Sequence, residues 1–327
     1  MSETTFLEAV RAAMAEEMRR DPDVCIMGED IGEFGGAFQA TAGLIAEFGP
    51  LRVLDTPITP SARVGAAVGA AMLGLRPIVE LQYSDFLACA FEQIVNSAAK
   101  QLWRTAGALP APLVIRAPTG GGTRSGPWLS QSPEAWFLHA PGLKVVVPAT
   151  AHDAKGLLKA AIRDDDPVLF LEHKLLYRRL KEELPAGDYV VPLGRAAVRR
   201  PGHQITMLTY GAMVYQALAA AETLAREDGV AAEVLDLRTL APLDREAIGA
   251  SIRKTNRALV VHEATRTGGV GAELAAIIAE EWFGELDAPI ARVTAPDTPF
   301  PYAPALEAAY LPRGAQVVAT ARKLLAY

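Results

Sequence analysis

Val24-Cys25-Ile26-Met27 runs into Gly28-Glu29-Asp30, a short apolar run stopped by a glycine and two carboxylates. A run of this length with no polar face reads as a strand buried on both sides, and its C-terminal end would face a cleft. Upstream, Phe6, Val10, Ala13, Met14 and Met18 recur at helical spacing behind Ser2-Glu3-Thr4-Thr5, predicting an amphipathic helix that ends near Asp21-Pro22. Downstream come Ala42 to Phe48, Val53-Leu54, the Gly/Ala-rich Val64 to Gly74, Pro77 to Leu81, Phe91 to Trp103 and Pro112 to Arg116, helix and strand by turns. This alternation predicts a parallel, doubly wound α/β sheet. Gly65, Gly69 and Gly74 among alanines read as a packing seam, where small side chains let another backbone approach.

The pattern continues through Val145 to Val147, Ala154 to Ile162 and Val168 to Leu171. Lys181 to Gly202 is charged, carries Pro185, Pro192 and Pro201, and is followed by a restart of the βα pattern at Ile205 to Leu208. At 327 residues the chain exceeds the ~100–200 of one domain, so a boundary here fits two domains, the second smaller. Four glycines within Thr119 to Gly126 predict a loop after the Leu113-Val114-Ile115 strand, and loops of this kind line ligand crevices in open α/β sheets.

Composition excludes several function classes. Half the residues are hydrophobic and 21% are charged, which describes a folded globular chain. The net charge is −6 and the basic residues are scattered, so no nucleic-acid footprint is present. Cys25 and Cys89 are too few for a disulfide framework or thiolate cage, which points to a reducing compartment, the cytoplasm. No secretory leader or apolar run of about 18 residues is legible, so no membrane anchor is expected. Neither GxGxxG nor GxxxxGK[ST] occurs, the five histidines form no HxxxH pair, and no GxSxG elbow is present. Asp164-Asp165-Asp166 before Pro167 reads equally as a cation site or as solvated turn chemistry.

Nine runs in order carry a resemblance. They are Gly28-Glu29-Asp30, Arg52 to Ile58, Val68 to Ala71, Glu92 to Lys100, Ser130-Gln131-Ser132-Pro133-Glu134-Ala135, Pro141 to Val146, Asp153 to Leu158, Leu235 to Leu240 and Asp297-Thr298-Pro299-Phe300-Pro301. Together they resemble the beta subunit of the thiamine-diphosphate-dependent decarboxylating component of 2-oxo acid dehydrogenase complexes. Gln82 to Phe86, Ser132 to Ala135 and Leu176-Tyr177-Arg178 look more like its branched-chain branch than its pyruvate branch. The resemblance implies a transketolase-like α/β fold: a parallel-sheet pyrimidine-binding domain over 1–184, a linker over 185–202, and a smaller α/β C-terminal domain over 203–327. It also implies an alpha2-beta2 assembly with an alpha subunit that binds the magnesium diphosphate, a 2-oxo acid substrate, and a lipoyl acyltransferase core as acyl acceptor.

The site residues that the resemblance implies are of two kinds. Ile58, Gln82 and Phe86 match positions that border the aminopyrimidine. The backbone around Leu113 and Ala161, with Asp164 and Asp166, matches a potassium-binding loop. Two positions depart from the family: its ring-activating glutamate is Pro60 here, and its histidine near the reacting carbon is Leu129. A proline side chain can neither accept nor donate that hydrogen bond. Glu29, at the same cleft, is then the substitute carboxylate to examine, with a cap or buried ion-pair partner as its other reading. Arg63 and Arg124 flank the altered positions and suit an anionic substrate or diphosphate, or are plain exposed loop arginines. Two missing groups also leave open a non-oxidative carbon–carbon reaction on the same cofactor, or a catalytically inactive paralogue serving as scaffold or regulator.

Overall fold

The computed structural model describes residues 3–327, so Ser2, ahead of the first helix, lies outside them. Helix α1 (Phe6–Arg20) starts on a capping box: the Thr5 hydroxyl accepts from the Glu8 amide, and the Glu8 carboxylate accepts from the Thr5 amide. It is followed by β1 (Val24–Gly28), β2 (Val53–Asp55), α2 (Pro60–Met72), β3 (Arg76–Glu80), β4 (Val114–Thr119), β5 (Lys144–Val146), α3 (Ala151–Arg163) and β6 (Val168–His173). These six strands run in the order β5-β6-β4-β3-β1-β2, every neighbouring pair parallel. The apolar runs of the sequence are these strands, which are buried almost throughout.

Two local expectations shift. Helix α2 begins at Pro60 rather than near Val64, because proline at the first helical position gives up only an amide that the helix would leave unpaired. The helix expected over Phe91 to Trp103 is instead a π-helical turn (Gln93–Ala98) followed by a short α-turn (Gln101–Arg104), with a 3₁₀ segment (Ser84–Ala90) just before them. Of the seam glycines, Gly65 lies against the Gln93 side chain in that π turn, whereas Gly69 faces open space.

The chain divides into two units, Met1–Thr119 with Trp136–Leu193 and Gly120–Ala135 with Gly194–Tyr327. The glycine-rich segment expected within the first domain thus groups with the second unit. That unit holds a sheet of β7 (Ala197–Arg200), β8 (Ile205–Thr209), β9 (Ala232–Asp236), β10 (Ala258–Thr265) and β11 (Ala291–Ala295). The order is β11-β10-β8-β9-β7, parallel except for β7. Strand β7 falls inside the stretch expected as a linker. The unit also holds helices α4 (Met213–Asp228), α5 (Arg245–Thr255), α6 (Val270–Trp282) and α7 (Gly314–Leu325), with a shorter helix over Pro304–Tyr310.

Candidate functional site

All strands of the first unit's sheet point the same way, so their C-terminal ends form one edge, where open α/β sheets place their ligand crevice. β1 delivers Glu29 to this edge, β2 delivers Asp55-Thr56-Pro57-Ile58, and β3 delivers Glu80 and, just beyond it, Gln82. The first turn of α2 covers the same ends and carries both Pro60 and Arg63.

Arg63 organises this corner. Its Nε donates to Thr56 Oγ1 at 2.7 Å, its Nη1 to the Glu80 carbonyl at 2.8 Å, and its Nη2 to the Pro57 carbonyl at 3.1 Å and to Glu29 Oε1. The Arg63 side chain is 0% exposed and that of Glu29 7%, so this is a buried ion pair. The structure thus brings together two residues that the sequence suggested for separate tasks, a substitute base and an anion binder, and joins them to each other. Pro60 offers no side-chain acceptor, and Thr59 before it makes no side-chain cap.

The expected wall residues stand nearby along the chain. Ile58 is 82% exposed. Gln82 and Phe86 are half-buried, Phe86 within the 3₁₀ segment with its ring edge-on to Tyr83 at 6.0 Å. Tyr83 in turn meets Phe38 edge-on at 5.4 Å and lies 5.3 Å from the Lys174 ammonium. The edge therefore presents apolar, aromatic and amide groups, and Glu29, the acid nominated as substitute base, is already bound.

Below the edge lies a charge network that sequence reasoning missed. Arg116 on β4 donates to both oxygens of Glu172 on β6 at 2.7 Å each and to Glu80 Oε2 at 2.8 Å, and the Tyr177 hydroxyl donates to Glu172 at 2.6 Å. All four side chains are buried. Burial pushes the Glu80 carboxyl up against the pull of Arg116, and it pushes the Tyr177 phenol well up with Glu172 adding to it. For Arg116 burial opposes the charge, yet Glu172 and Glu80 outweigh it and hold the guanidinium more firmly protonated. The sequence signal was present: Glu80, Arg116 and Glu172 are charges in otherwise apolar strands, which burial tolerates only when paired.

The residues expected for potassium lie at the opposite, N-terminal edge of the sheet. Leu113 precedes β4, while Ala161 lies in the last turn of α3 and Asp164 and Asp166 precede β6. The Leu113 carbonyl accepts from the Val168 amide at 3.0 Å, and the Ala161 carbonyl from the Asp164 amide at 3.3 Å. Lys144 donates to both oxygens of Asp164 at 2.7 and 2.6 Å and lies 3.1 Å from Asp166. Burial works against this ammonium, but its hydrogen bonds to the two carboxylates outweigh it and raise its pKa.

Leu129 and Arg124 belong to the second unit. Leu129 is half-buried beside Trp128, which is 75% exposed. Arg124 is exposed at φ 60°, and its amide donates to Glu307 Oε1 at 3.0 Å. The amides of Gly121 and Gly122 donate likewise to Glu263 and Glu307, at 2.6 and 3.1 Å. These loop amides are thus satisfied by the unit's own carboxylates.

With this geometry in place, comparison with known proteins is specific. Residues 2–179 match the pyrimidine binding domain of transketolase, and residues 194–317 match its C-terminal domain. A 2-oxoisovalerate dehydrogenase subunit beta of Bacillus subtilis is 50% identical over 99% of both chains. The subunit of that name from Pseudomonas aeruginosa is 46% identical over 98% of this chain and 95% of its own. A pyruvate dehydrogenase E1 component subunit beta of Bacillus subtilis is 43% identical over 100% of both. Among solved structures, a chain described as a split gene transketolase, inactive beta4 tetramer, superposes with a TM-score of 0.80 at 27% identity, covering 99% of each chain.

Proposed function

Because this chain belongs to the family of transketolase-fold E1 beta subunits of 2-oxo acid dehydrogenases, we propose that it is the beta subunit of such a component. On this reading it assembles with an alpha subunit as alpha2-beta2 and serves decarboxylation of a 2-oxo acid, branched-chain ahead of pyruvate. One observation carries this reading: the end-to-end identity of 50% with a 2-oxoisovalerate dehydrogenase subunit beta, against 43% to 47% with pyruvate dehydrogenase counterparts. A lipoyl acyltransferase core is the acyl acceptor on this reading, and the cytoplasm its compartment. Among the described residues no helix is long and apolar enough to cross a membrane.

Thiamine diphosphate is the cofactor this reading requires, its magnesium diphosphate held by the alpha subunit and its ring offered to this chain. When bound, it supplies the carbanion chemistry of decarboxylation. Ile58, Gln82 and Phe86 suit the apolar and amide-lined side of such a ring. The acceptor for a ring nitrogen does not fit: Pro60 has none, and Glu29 is joined to Arg63. A potassium ion near Leu113 and Ala161 would compete with Lys144 for Asp164 and Asp166.

Pro60, Leu129 and the Glu29–Arg63 pair favour one second reading, a beta subunit that keeps assembly while turnover is low or absent. Loss of one acid–base contact typically costs ~10²–10⁴ in rate. Co-expression with an alpha subunit, followed by measurement of complex mass and of decarboxylation of 2-oxoisovalerate and pyruvate, tests both. Under the first reading a 2:2 complex forms and prefers the branched-chain acid. A 2:2 complex without turnover selects the second reading, and a chain that stays apart from every alpha subunit contradicts both.

A further inference from the structure

The geometry of the first unit points to a role for Arg63 that rests on the beta-subunit reading: its side chain is an internal plug of the pyrimidine half-site. The guanidinium fills the corner at the C-terminal ends of β1, β2 and β3, and its ion pair withdraws Glu29 from any incoming ligand.

Four contacts fix the plug. Arg63 bonds Thr56, Pro57, Glu80 and Glu29, groups contributed by all three strand ends, and it is fully buried in doing so. A guanidinium has five N–H donors in a planar fork, so these bonds use most of its directions. An arginine left exposed to meet a substrate anion would look different: it would reach solvent and keep donors in hand. Entry of a ring into this corner requires Arg63 to swing out, which breaks the four bonds and leaves Glu29 as a buried unpaired carboxylate, the costly half of such an event.

Pro60 belongs to the same device. It stands one helical turn before Arg63 in α2, and residues three apart on a helix are neighbours. A carboxylate at position 60 would compete with Glu29 for the guanidinium. The absence of an acceptor there and the presence of a buried arginine are therefore coupled features of one corner. A thiamine diphosphate molecule held by an alpha subunit would gain little from this half of its site.

Two experiments test the plug, one on the chain alone and one on the assembled complex. In the isolated chain, Arg63→Met and Glu29→Gln each lower the unfolding midpoint, while the double variant recovers most of the loss, because neither charge is then left unpaired. Additive losses would overturn the pairing. In the complex with its alpha subunit, thiamine diphosphate with magnesium is titrated calorimetrically. The Arg63→Met/Glu29→Gln complex binds roughly 10- to 100-fold more tightly than wild type. Pro60→Glu alone gives little gain, since Arg63 captures the new carboxylate, and Pro60→Glu/Arg63→Met gains at least as much as the first pair. A wild-type affinity within about threefold of the unplugged variant, or the full gain from Pro60→Glu alone, overturns the proposal. Failure to assemble counts against the beta-subunit reading instead, and the chain-only cycle then decides the plug.

Discussion

The Lys144 ammonium sits between two carboxylates, 2.6 Å from Asp164 Oδ2 and 3.1 Å from Asp166 Oδ2, at the edge of the sheet away from the cleft. The Asp166 amide also donates to Asp164 Oδ1 at 2.9 Å, so the acidic run folds into a turn around a cation that the chain itself supplies. Exchanging sodium for potassium at constant ionic strength should therefore leave the thermal midpoint of the wild-type chain unchanged. Lys144→Met, which frees both carboxylates, should lower the midpoint and make it rise with added potassium. A potassium-dependent rise in the wild type would show that the ion binds with Lys144 in place.

The bidentate Arg116–Glu172 pair predicts a large stability effect far from any ligand. Both side chains are 0% exposed, and Tyr177 satisfies the remaining valence of the carboxylate. Glu172→Gln should cost about 3 kcal/mol, the lower end for breaking a buried pair, because Glu80 still faces the guanidinium. Tyr177→Phe removes one hydrogen bond to a charged group and should cost about 2 kcal/mol. Urea midpoints read both, with the slope unchanged.

In the second unit, His262 lies buried on β10, stacked 6.2 Å from the Tyr210 ring and closely approached by Gly269 and Gly271. Burial, with the charge of Arg292 adding to it, lowers its pKa from 6.5 to about 4. The folded state thus resists a proton that the unfolded chain accepts, so this contribution is complete above pH 6.5 and is lost as pH falls toward 4. The loss should reach about 3 kcal/mol, and His262→Leu should flatten the stability profile between those limits. A profile with the same slope in the variant would assign the acid sensitivity elsewhere.

Leu129 should affect transfer and leave binding alone. Leu129→His is expected to leave the thiamine diphosphate affinity of the assembled complex within about twofold of wild type and to change only turnover with a lipoyl acceptor. An affinity change of tenfold or more would place this position at the cofactor.

Parallel strands are legible in sequence because both of their faces are buried and they read as unbroken apolar runs: Val24 to Met27 and Val168 to Leu171 mark the strands Val24–Gly28 and Val168–His173. The π-helical turn over Gln93–Ala98 is not legible, since its apolar residues recur nearly as in an α-helix. The cleft was legible as a place and not as a wiring pattern. Glu29 and Arg63 could each be nominated, but their pairing across 34 positions depends on α2 starting at Pro60, which turns Arg63 toward the strand ends. Glu80 and Arg116 escaped for a similar reason, because each charge is visible along the chain while its partner is set by the sheet register.

As the proposed beta half of an alpha–beta enzyme component, this chain requires an alpha partner. The direct test is to co-purify it with its alpha subunit and determine the mass of the particle in solution, then assay that particle on 2-oxoisovalerate and pyruvate. A 2:2 particle whose turnover, however slow, favours the branched-chain acid is the predicted result. A beta chain that forms no particle with any alpha subunit, alone or with thiamine diphosphate and magnesium present, would contradict it.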